Sequence, residues 1–482
     1  MERETYREPL VSRYTGRAMQ ELFGENTRFR TWRRCWIALA ESQRELGLDS
    51  IVGKEAIEQM KAHADDINYE VAEAKEKELR HDVMAHVHAF GAQCPAAAGI
   101  IHLGATSQFV VCNTDLILHR EALALIRADL VRVIHRLAAT VKRHRDLPVL
   151  GATHFQPAQP TTLGKRFSVA LQDLIMDLDA LEWVMNQVKA RGAKGTTGTQ
   201  ASFLKLFDGD SEKVKQLDEA VAEKLGFAAS YPVTGQTYSR KLDTKIAETL
   251  AGIGASAHWI GVNIRLMSGQ KEMDEPFGKK QVGSSAMAYK RNPMRSERMC
   301  SLARKLMNLP ADFHATHANQ WMEHTLDDSA IRRMDIPQSY LLADAVLGLL
   351  LDICGGLVPN SFAIDARLAA DLPFLATEEI LMAAVEKGAS RQDAHEAIRE
   401  HSMEVARLVK EEGKPNDLLD RLAADDRIPL DANDLSGIAR DASRFIGRAV
   451  EQVDDFLSEV VEPRLADYAD ILKREAENRV KV

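Results

Sequence analysis

The stretch Asp115–Asp146, DLILHREALALIRADLVRVIHRLAATVKRHRD, decides the fold class of this 482-residue chain. Its apolar residues recur at steps of three to five positions, which is typical of a single buried stripe along an α-helix. The stripe consists of Leu118, Leu123, Ile126, Leu130, Ile134, Leu137 and Val141. The pattern predicts one helix of about 30 residues, much longer than an average globular helix.

Three further segments have the same character, because each starts near a Ser, Thr or Asp and is rich in Leu, Ala, Ile and Met. They are Leu163–Arg191, Ser239–Met273 and Asp335–Leu357. No proline lies between Pro95 and Pro148 or between Pro160 and Pro232, so nothing in these gaps interrupts a helix. Four long helices and few period-two patterns predict an all-α protein with a central helical bundle.

The length of the chain indicates about three domains, since one hydrophobic core does not grow to this size. We expect an N-terminal helical domain over 1–110 and a central long-helix bundle domain over 111–358, which contains a polar loop at 283–297. Shorter helices then form a C-terminal helical domain over 359–482.

Charge and cysteine content limit the partners and the compartment. Lys and Arg total 62 against 71 Asp and Glu, a net charge of −9, which provides no basic surface for nucleic acid or an anionic membrane. Five cysteines without CxxC or zinc-type spacing predict reduced thiols and favour the cytoplasm. The first residues lack a signal-peptide pattern and no apolar run has the length of a membrane span, so we expect neither.

Four polar clusters fall at predicted helix ends or in loops. They are RHDVMAHVH (80–88), GATSQFVVCNTD (104–115), GATHFQPAQPTTLGKR (151–166) and GSSAMAYKRNPMRSE (283–297). In the first, His81 and His88 share a helix face beside Asp82 and are suited to binding an anion. A metal site is the alternative, but the histidines lack the i, i+4 spacing of helical zinc ligands. A packed or solvated histidine is the commoner outcome.

The third cluster contains His154 in a turn that Pro157 and Pro160 stiffen. A histidine held in place near neutral pH can protonate a leaving group, whereas the alternative is a helix cap satisfied by backbone groups. In the second cluster, Thr106 and Ser107 precede the long helix. Their hydroxyl and N–H groups are suited equally to capping that helix or to binding an anion at its positive end.

The loop at 283–297 combines serines with cations. Lys290, Arg291, Arg295 and Arg298 create a local positive potential, which lowers the cost of a serine alkoxide or a developing dianion. The alternative is a solvated charged loop. The crowding of Ser284 among these cations argues for the functional interpretation.

GSSAMAYKRNP resembles the signature loop GSSxMPxKxNP of the fumarase/aspartase superfamily, whose members eliminate fumarate from a succinyl compound. RHDVMAHVH, GATHFQPAQPTTLGKR, KGTTGTQASFL, TGQTYSRK and YKRNPMRSER resemble motifs of the adenylosuccinate lyase family, particularly its animal-type branch. The resemblance implies a homotetramer of helical bundles whose active sites combine several subunits. It also implies cleavage of adenylosuccinate to AMP and of SAICAR to AICAR in purine biosynthesis, with no metal or organic cofactor.

The resemblance further implies a role for individual residues. Ser284 is the general base, His154 the general acid, and His81 positions His154 or the substrate. Lys290 holds the succinyl carboxylate together with an asparagine, and Glu297 orients His154. The substrate contacts that it implies are Arg13, Tyr14, Arg80, Asp82, Thr106, Ser107, Gln236, Asn292, Arg298, His324, Ser329 and Arg333.

Two positions depart from the family pattern. Ala288 replaces a proline of the signature loop, which leaves the loop less constrained. His324 replaces an arginine implicated in binding the nucleotide phosphate, and histidine is shorter and only partly charged at neutral pH. Alternatives are therefore a paralogue acting on a modified nucleotide, a superfamily enzyme acting on argininosuccinate or aspartate, and a non-catalytic crystallin-like protein. The basic KRNPMRSER and AIRR segments favour a phosphorylated substrate, and the intact catalytic set favours an enzyme.

Overall fold

The computed structural model describes residues 4–474 of the chain. Helix makes up 67% of the structure and the strands are few and short, which confirms the predicted all-α class. Every residue of the apolar stripe between Leu118 and Val141 is at most 4% exposed, so the stripe is buried along its whole length.

Residues 4–100 contain five α-helices. They are α1 (Arg17–Leu22), α2 (Glu25–Glu45), α3 (Lys54–Ala62), α4 (Tyr69–Leu79) and α5 (Asp82–Gln93), with a π-helical turn at Leu10–Tyr14 and a 3-10 turn at Pro95–Ala97. The chain reverses sharply between α4 and α5, where Arg80 takes the left-handed conformation at φ 54°. This reversal brings the start of α5 back towards the central bundle.

The central region contains the long helices. Its elements are α6 (Ser107–Arg143), β1 (Pro148–Thr153), β2 (Gln156–Thr162), α7 (Leu163–Gln187), α8 (Ala201–Leu206), α9 (Ser211–Lys224), α10 (Lys241–Gly269), β3 (Met273–Asp274), α11 (Met294–Asn308), α12 (Pro310–Ala318) and α13 (Asp328–Cys354). Helix α6 packs against α7 and α13, while α10 packs against α7, α11 and α13. These packed helices are the predicted bundle.

The remaining helices are shorter. They are α14 (Ser361–Leu375), α15 (Thr377–Glu386), α16 (Arg391–Glu412), α17 (Leu418–Ala423), α18 (Ala432–Ile438), α19 (Ala449–Phe456), α20 (Glu462–Ala466) and α21 (Ala469–Leu472), with β4 at Val358–Pro359, a 3-10 turn at Ala442–Phe445 and a π-helical turn at Leu457–Val461. Buried apolar residues between 376 and 435 form a core of their own. A larger core runs from Leu10 to Leu368 and takes in residues from Val453 to Tyr468. The three-domain division stays a prediction.

Two long helices begin earlier than their composition indicates. Helix α6 starts at Ser107, directly after Gly104 (φ 73°) and the extended Thr106 interrupt the backbone. Helix α13 starts at Asp328 and continues through Pro337, whereas the prediction began at Asp335. Both shifts matter because they place polar residues on the first turns of long helices.

Helix α13 is also long and apolar enough to cross a membrane by length and composition. The sequence-based expectation that no run reaches this length was therefore wrong for this segment. However, 78% of its apolar window is buried inside the fold, as in the core helix of a bundle.

The segment predicted as a proline-stiffened turn is instead a β-hairpin. Strand β1 pairs antiparallel with β2, and Thr153 faces Gln156 at the tip. His154 and Phe155 connect the strands with φ values of 54° and 59°. Two successive left-handed residues are typical of a type I′ turn, which matches the twist of a hairpin but is rarely built without Gly, Asn or Asp.

Candidate active site

Three helix N-termini converge on a cavity of about 540 Å³, here called the three-helix cavity. Asp82 of α5, Ser107 of α6 and Ser329 of α13 all lie on first turns and line it. Backbone N–H groups and the macrodipole favour an anion at each of these ends. The cavity brings together six of the predicted site residues: Arg80, His81, Asp82, Ser107, Ser329 and Arg333.

His81 occupies the N-cap position of α5. Its Nδ1 accepts a hydrogen bond from the backbone N–H of Met84 at 3.4 Å. In the neutral ring the proton therefore lies on Nε2, which remains a hydrogen-bond donor. Asp82, the next residue, receives a bond from Arg333 at 2.7 Å, which ties the first turn of α5 to α13.

A network of buried charges that the sequence analysis missed adjoins the cavity, and its members Arg332 and Asp115 line it. Arg332 donates to Asp243 at 2.8 Å, to Asp115 at 3.1 Å and to the hydroxyl of Tyr238 at 2.5 Å. Asp243 also lies 3.2 Å from His119 Nε2. Burial opposes the charge on Asp243, but Arg332 and His119 hold the pKa of its carboxyl well below the usual range.

A second buried ion pair fixes the start of α13. Arg240 donates to Asp328 at 2.6 Å, and both side chains are 2% exposed. Asp328 precedes Ser329, and Arg332 precedes Arg333, so both Ser329 and Arg333 follow a buried, charge-paired residue that also lines the cavity. The two pairs therefore hold the first turns of α13 in a defined position.

A second cavity of about 750 Å³ lies beside the signature loop and is here called the signature-loop cavity. Lys290, Asn292 and Glu297 line it together with Arg265 and Lys271, so its charge is predominantly positive. It contains three of the predicted site residues and shares no lining residue with the three-helix cavity.

Within the signature loop, Ser284 is held by backbone donors. Its Oγ accepts hydrogen bonds from the N–H groups of Ala286 at 3.3 Å and Met287 at 3.1 Å. Donors aimed at a hydroxyl oxygen stabilise its deprotonated form, which lowers the cost of using serine as a base. The loop folds tightly at Gly283, where an added Cβ would lie 2.0 Å from the carbonyl oxygen of Lys290.

Glu275, which the sequence analysis also missed, anchors the C-terminal end of the signature loop, where helix α11 begins. Helix α11 follows Pro293, which provides no side-chain cap. Instead, Glu275 accepts bonds from the N–H of Arg295 at 2.8 Å and from the N–H and hydroxyl of Ser296, both at 3.0 Å. Burial raises the pKa of Glu275 in spite of these donors. A carboxylate from a separate segment thus caps the helix that ends the loop.

His154 lies at the tip of the hairpin and not at a helix end. Neither its ring nor the carboxylate of Glu297 makes a hydrogen bond or ion pair with residues 4–474, so the predicted contact between the two side chains is not made within one chain. The helix-capping alternative for His154 is therefore wrong, and His81 is the histidine that caps a helix. Ser284 and His154 line neither cavity.

The other predicted substrate contacts are arranged in smaller groups. The guanidinium groups of Arg13 and Arg298 lie 6.0 and 5.7 Å from the ring centre of Tyr14. The backbone N–H of Gln236 donates to Glu323 at 3.0 Å, next to His324. Thr106 occupies the N-cap of α6 without a side-chain cap bond.

His324 is a poor cation in this setting. Burial, together with Arg240 and Arg332, lowers its pKa although Asp328 opposes the shift. The ring is therefore neutral at neutral pH, and its Nδ1 is buried without a hydrogen-bond partner in the described part of the chain. His324 does not line the three-helix cavity.

The described residues contain no group of three His, Cys, Asp or Glu side chains arranged to hold a metal ion. The metal alternative for His81, His86 and His88 therefore has no geometric support between residues 4 and 474. His86 instead stacks on Phe29 with ring centres 3.8 Å apart.

Two family models match the chain. One described as Lyase matches residues 8–308, and one described as Adenylosuccinate lyase C-terminus matches residues 373–456. The chain is 52% identical to adenylosuccinate lyase of Saccharomyces cerevisiae, with 98% of each chain covered. It is 48% identical to the enzymes of that name from Schizosaccharomyces pombe, with 98% of each covered, and Schistosoma mansoni, with 97% of this chain and 98% of the other covered.

Solved structures with the same fold have lower identity. A 3-carboxy-cis,cis-muconate lactonizing enzyme from Pseudomonas putida superimposes with a TM-score of 0.82 at 22% identity, covering 95% of this chain and all of the other. A fumarate lyase from Mesorhizobium sp. BNC1 has a TM-score of 0.79 at 22% identity, covering 94% and 99%. At this identity the likeness establishes the fold alone.

Proposed function

Because this chain belongs to the adenylosuccinate lyase family, we propose that it eliminates fumarate from adenylosuccinate to give AMP, and from SAICAR to give AICAR. It is a C–N lyase, and the two reactions are steps of purine biosynthesis. The observation that carries the proposed mechanism is the pair of backbone N–H groups directed at Ser284 Oγ.

In this mechanism Ser284 removes a proton from the carbon β to the leaving nitrogen. The electrons left on that carbon delocalise into the adjacent carboxylate, which becomes a dianionic aci-carboxylate. Fixed cations stabilise such a charge more in the transition state than in the substrate, so this electrostatic term is the largest part of catalysis. Lys290 and Asn292 line a positive cavity and are suited to this task. The chemistry requires no metal or organic cofactor.

Expulsion of the amine requires a proton on nitrogen. We assign this transfer to His154, whose position at an exposed hairpin tip leaves its ring accessible. His81 Nε2–H is free to donate to the substrate because Nδ1 already caps α5, which suits a positioning role. Glu297 would orient His154 from a different subunit.

The nucleotide would occupy the three-helix cavity. Arg80, Asp82, Ser107, Ser329 and Arg333 would contact it there, close to helix N-termini that favour its phosphate. The remaining contacts, contributed by neighbouring loops, would come from Arg13, Tyr14, Thr106, Gln236, Arg298 and His324.

A homotetramer with shared sites accounts for the separation of these groups. The two cavities share no lining residue, and Ser284 and His154 line neither of them, which supports a site that residues of other subunits complete. The bundle also exposes an apolar stripe with seven-residue spacing along α7, at Val169, Met176 and Trp183, and another on α10 at Trp259 and Leu266. Such stripes favour packing against helices of another subunit.

We propose a cytoplasmic location. The five cysteines are all buried and unpaired, which suits a reducing compartment.

Fumarate release measured by absorbance from adenylosuccinate, SAICAR, argininosuccinate and aspartate tests the proposed substrates. We expect turnover on the first two, and turnover on only the last two would reject the assignment. Ser284→Ala and His154→Ala should each reduce kcat by about 10²- to 10⁴-fold, the usual contribution of a positioned acid or base.

Mixed tetramers test the shared site. Co-refolded Ser284→Ala and His154→Ala subunits should regain activity, because some interfaces then combine an intact serine with an intact histidine. Tetramers of either variant alone are the matched controls. If the mixture is no more active than these controls, each site is built from a single chain.

A further inference from the structure

The three-helix cavity contains five arginines, and three of them are already paired with carboxylates. Arg333 binds Asp82, Arg332 binds Asp243 and Asp115, and Arg240 binds Asp328. The side chains of Arg28 and Arg80 make no hydrogen bond or ion pair with any residue between 4 and 474. Arg80 is an exposed residue of the family motif, whereas Arg28 is half-buried on α2.

A half-buried cation without a counterion is unfavourable in the free protein. Phe29 and Trp32 line the cavity from the same helix as Arg28, and Phe23 lines it just before that helix begins, so apolar side chains reduce the contact of Arg28 with water. Ionic interactions strengthen as the effective dielectric falls, so an anion bound here gains more than at an exposed arginine. The other unpaired charges of the lining, Glu25 and Glu76, are exposed and screened by solvent.

From this arrangement we propose that Arg28 is a further specificity-determining residue, which binds the 5′-phosphate of the nucleotide. The inference rests on the proposed function. The succinyl carboxylates are assigned to Lys290 and Asn292 in the other cavity, so the phosphate is the anion left for this one. Guanidinium groups bind phosphate oxygens through two parallel hydrogen bonds, and the convergent helix N-termini stabilise the same charge.

Arg28 also compensates for the cation that is lost where histidine replaces arginine at position 324. His324 is neutral at neutral pH and does not line the cavity, so it contributes no charge to phosphate binding. Arg28 supplies a permanent charge from the lining of the cavity itself, on a helix that the family motifs do not include.

Calorimetric binding of AMP and adenosine to the intact enzyme tests the proposal without turnover. Arg28→Ala should weaken AMP binding by about 10- to 100-fold, the range of one charge-assisted hydrogen bond or bidentate pair, and leave adenosine binding unchanged. Arg28→Lys should retain part of the affinity for AMP. Arg34→Ala is the matched control, because it removes an exposed arginine from the same helix outside the cavity, and it should bind both ligands normally.

Kinetics provide a second test. Arg28→Ala should raise KM for adenylosuccinate with little change in kcat, since the phosphate is remote from the reacting carbons. Equal weakening of AMP and adenosine, unchanged AMP affinity, or a wild-type enzyme that binds no AMP would each overturn the proposal. A wild-type enzyme that binds AMP but releases no fumarate would reject the proposed function and leave the role of Arg28 intact.

Discussion

Removing the Glu275 carboxylate should release the signature loop from the bundle. The side chain is 5% exposed and is the acceptor for two backbone N–H groups in the first turn of α11. Alanine leaves both donors without a partner, and each buried, unmade bond costs about 1–3 kcal/mol. Alanine also removes the free-energy cost of burying a carboxylate, which is the cost that raises the pKa of Glu275, and this gain offsets part of the loss. We expect a net local destabilisation of about 3 kcal/mol for Glu275→Ala.

Hydrogen–deuterium exchange measures this local opening directly. A loss of about 3 kcal/mol corresponds to a roughly 100-fold faster exchange, since each 1.4 kcal/mol is a factor of ten. The increase should be confined to residues 283–300. Glu275→Gln retains an acceptor oxygen and should lose only about 1 kcal/mol, or roughly fivefold. Because Ser284 and Lys290 lie on the released loop, kcat should fall in the same order, with the alanine variant lowest.

A carboxylate elsewhere on the bundle provides the control. Glu248 on α10 pairs with Lys245 and His314 and does not contact the signature loop, so Glu248→Ala should leave exchange at 283–300 unchanged. The reasoning is refuted if Glu275→Ala leaves exchange of this segment unaltered. It is equally refuted if exchange rises to the same extent in every central helix, because the effect is then global and not an anchor of the loop.

Three further results are expected. His324→Arg should lower KM for adenylosuccinate by restoring a permanent cation, and an unchanged or raised KM would count against a phosphate role for position 324. Burial lowers the pKa of His86 to about 4 from 6.5, so the folded state binds fewer protons than the unfolded state and stability falls as pH decreases from 6.5 towards 4. The urea midpoint of the wild-type enzyme at fixed concentration should therefore drop between pH 7.5 and 5.0, and the midpoint of His86→Phe should drop less. A wild-type midpoint that rises at pH 5.0 would contradict this. Met176→Glu places a charge in the exposed stripe of α7 and should reduce the mass measured by sedimentation, whereas an unchanged mass would remove that stripe from the interface.

The helices were predictable because the residues that recur with helical periodicity in the sequence are the ones buried in the fold. The stripe from Leu118 to Val141 is buried as a pattern of period 3.6 requires. The hairpin was not predictable, because its strands lack a clear period of two and Pro157 and Pro160 argue against strand structure. Its turn also uses His154 and Phe155 in left-handed conformations that sequence statistics assign to glycine or asparagine.

The site was predictable where its residues are contiguous and not where it depends on distant pairs. The motif residues Arg80, His81 and Asp82 do line one cavity, as proximity in sequence allows. Glu275, by contrast, acts on Ser296 from 21 positions away and lies in a loop without periodicity. Nothing in its local sequence distinguishes it from a solvated glutamate.

The buried charges at the cavity are an intermediate case, because helix phase alone would have identified them. Arg332 is in register with Ile336, Tyr340 and Leu347, all buried on the inner face of α13, whereas Arg333, rotated by about 100° around the helix, is exposed. An arginine in phase with an apolar stripe must have a buried counterion, since an unpaired buried charge costs several kcal/mol. Asp243 is in phase with the buried face of α10 in the same way, so the pair follows from the sequence once both helix phases are known. A search for charges inside apolar stripes would therefore have found the support of the site, although not the loop anchor.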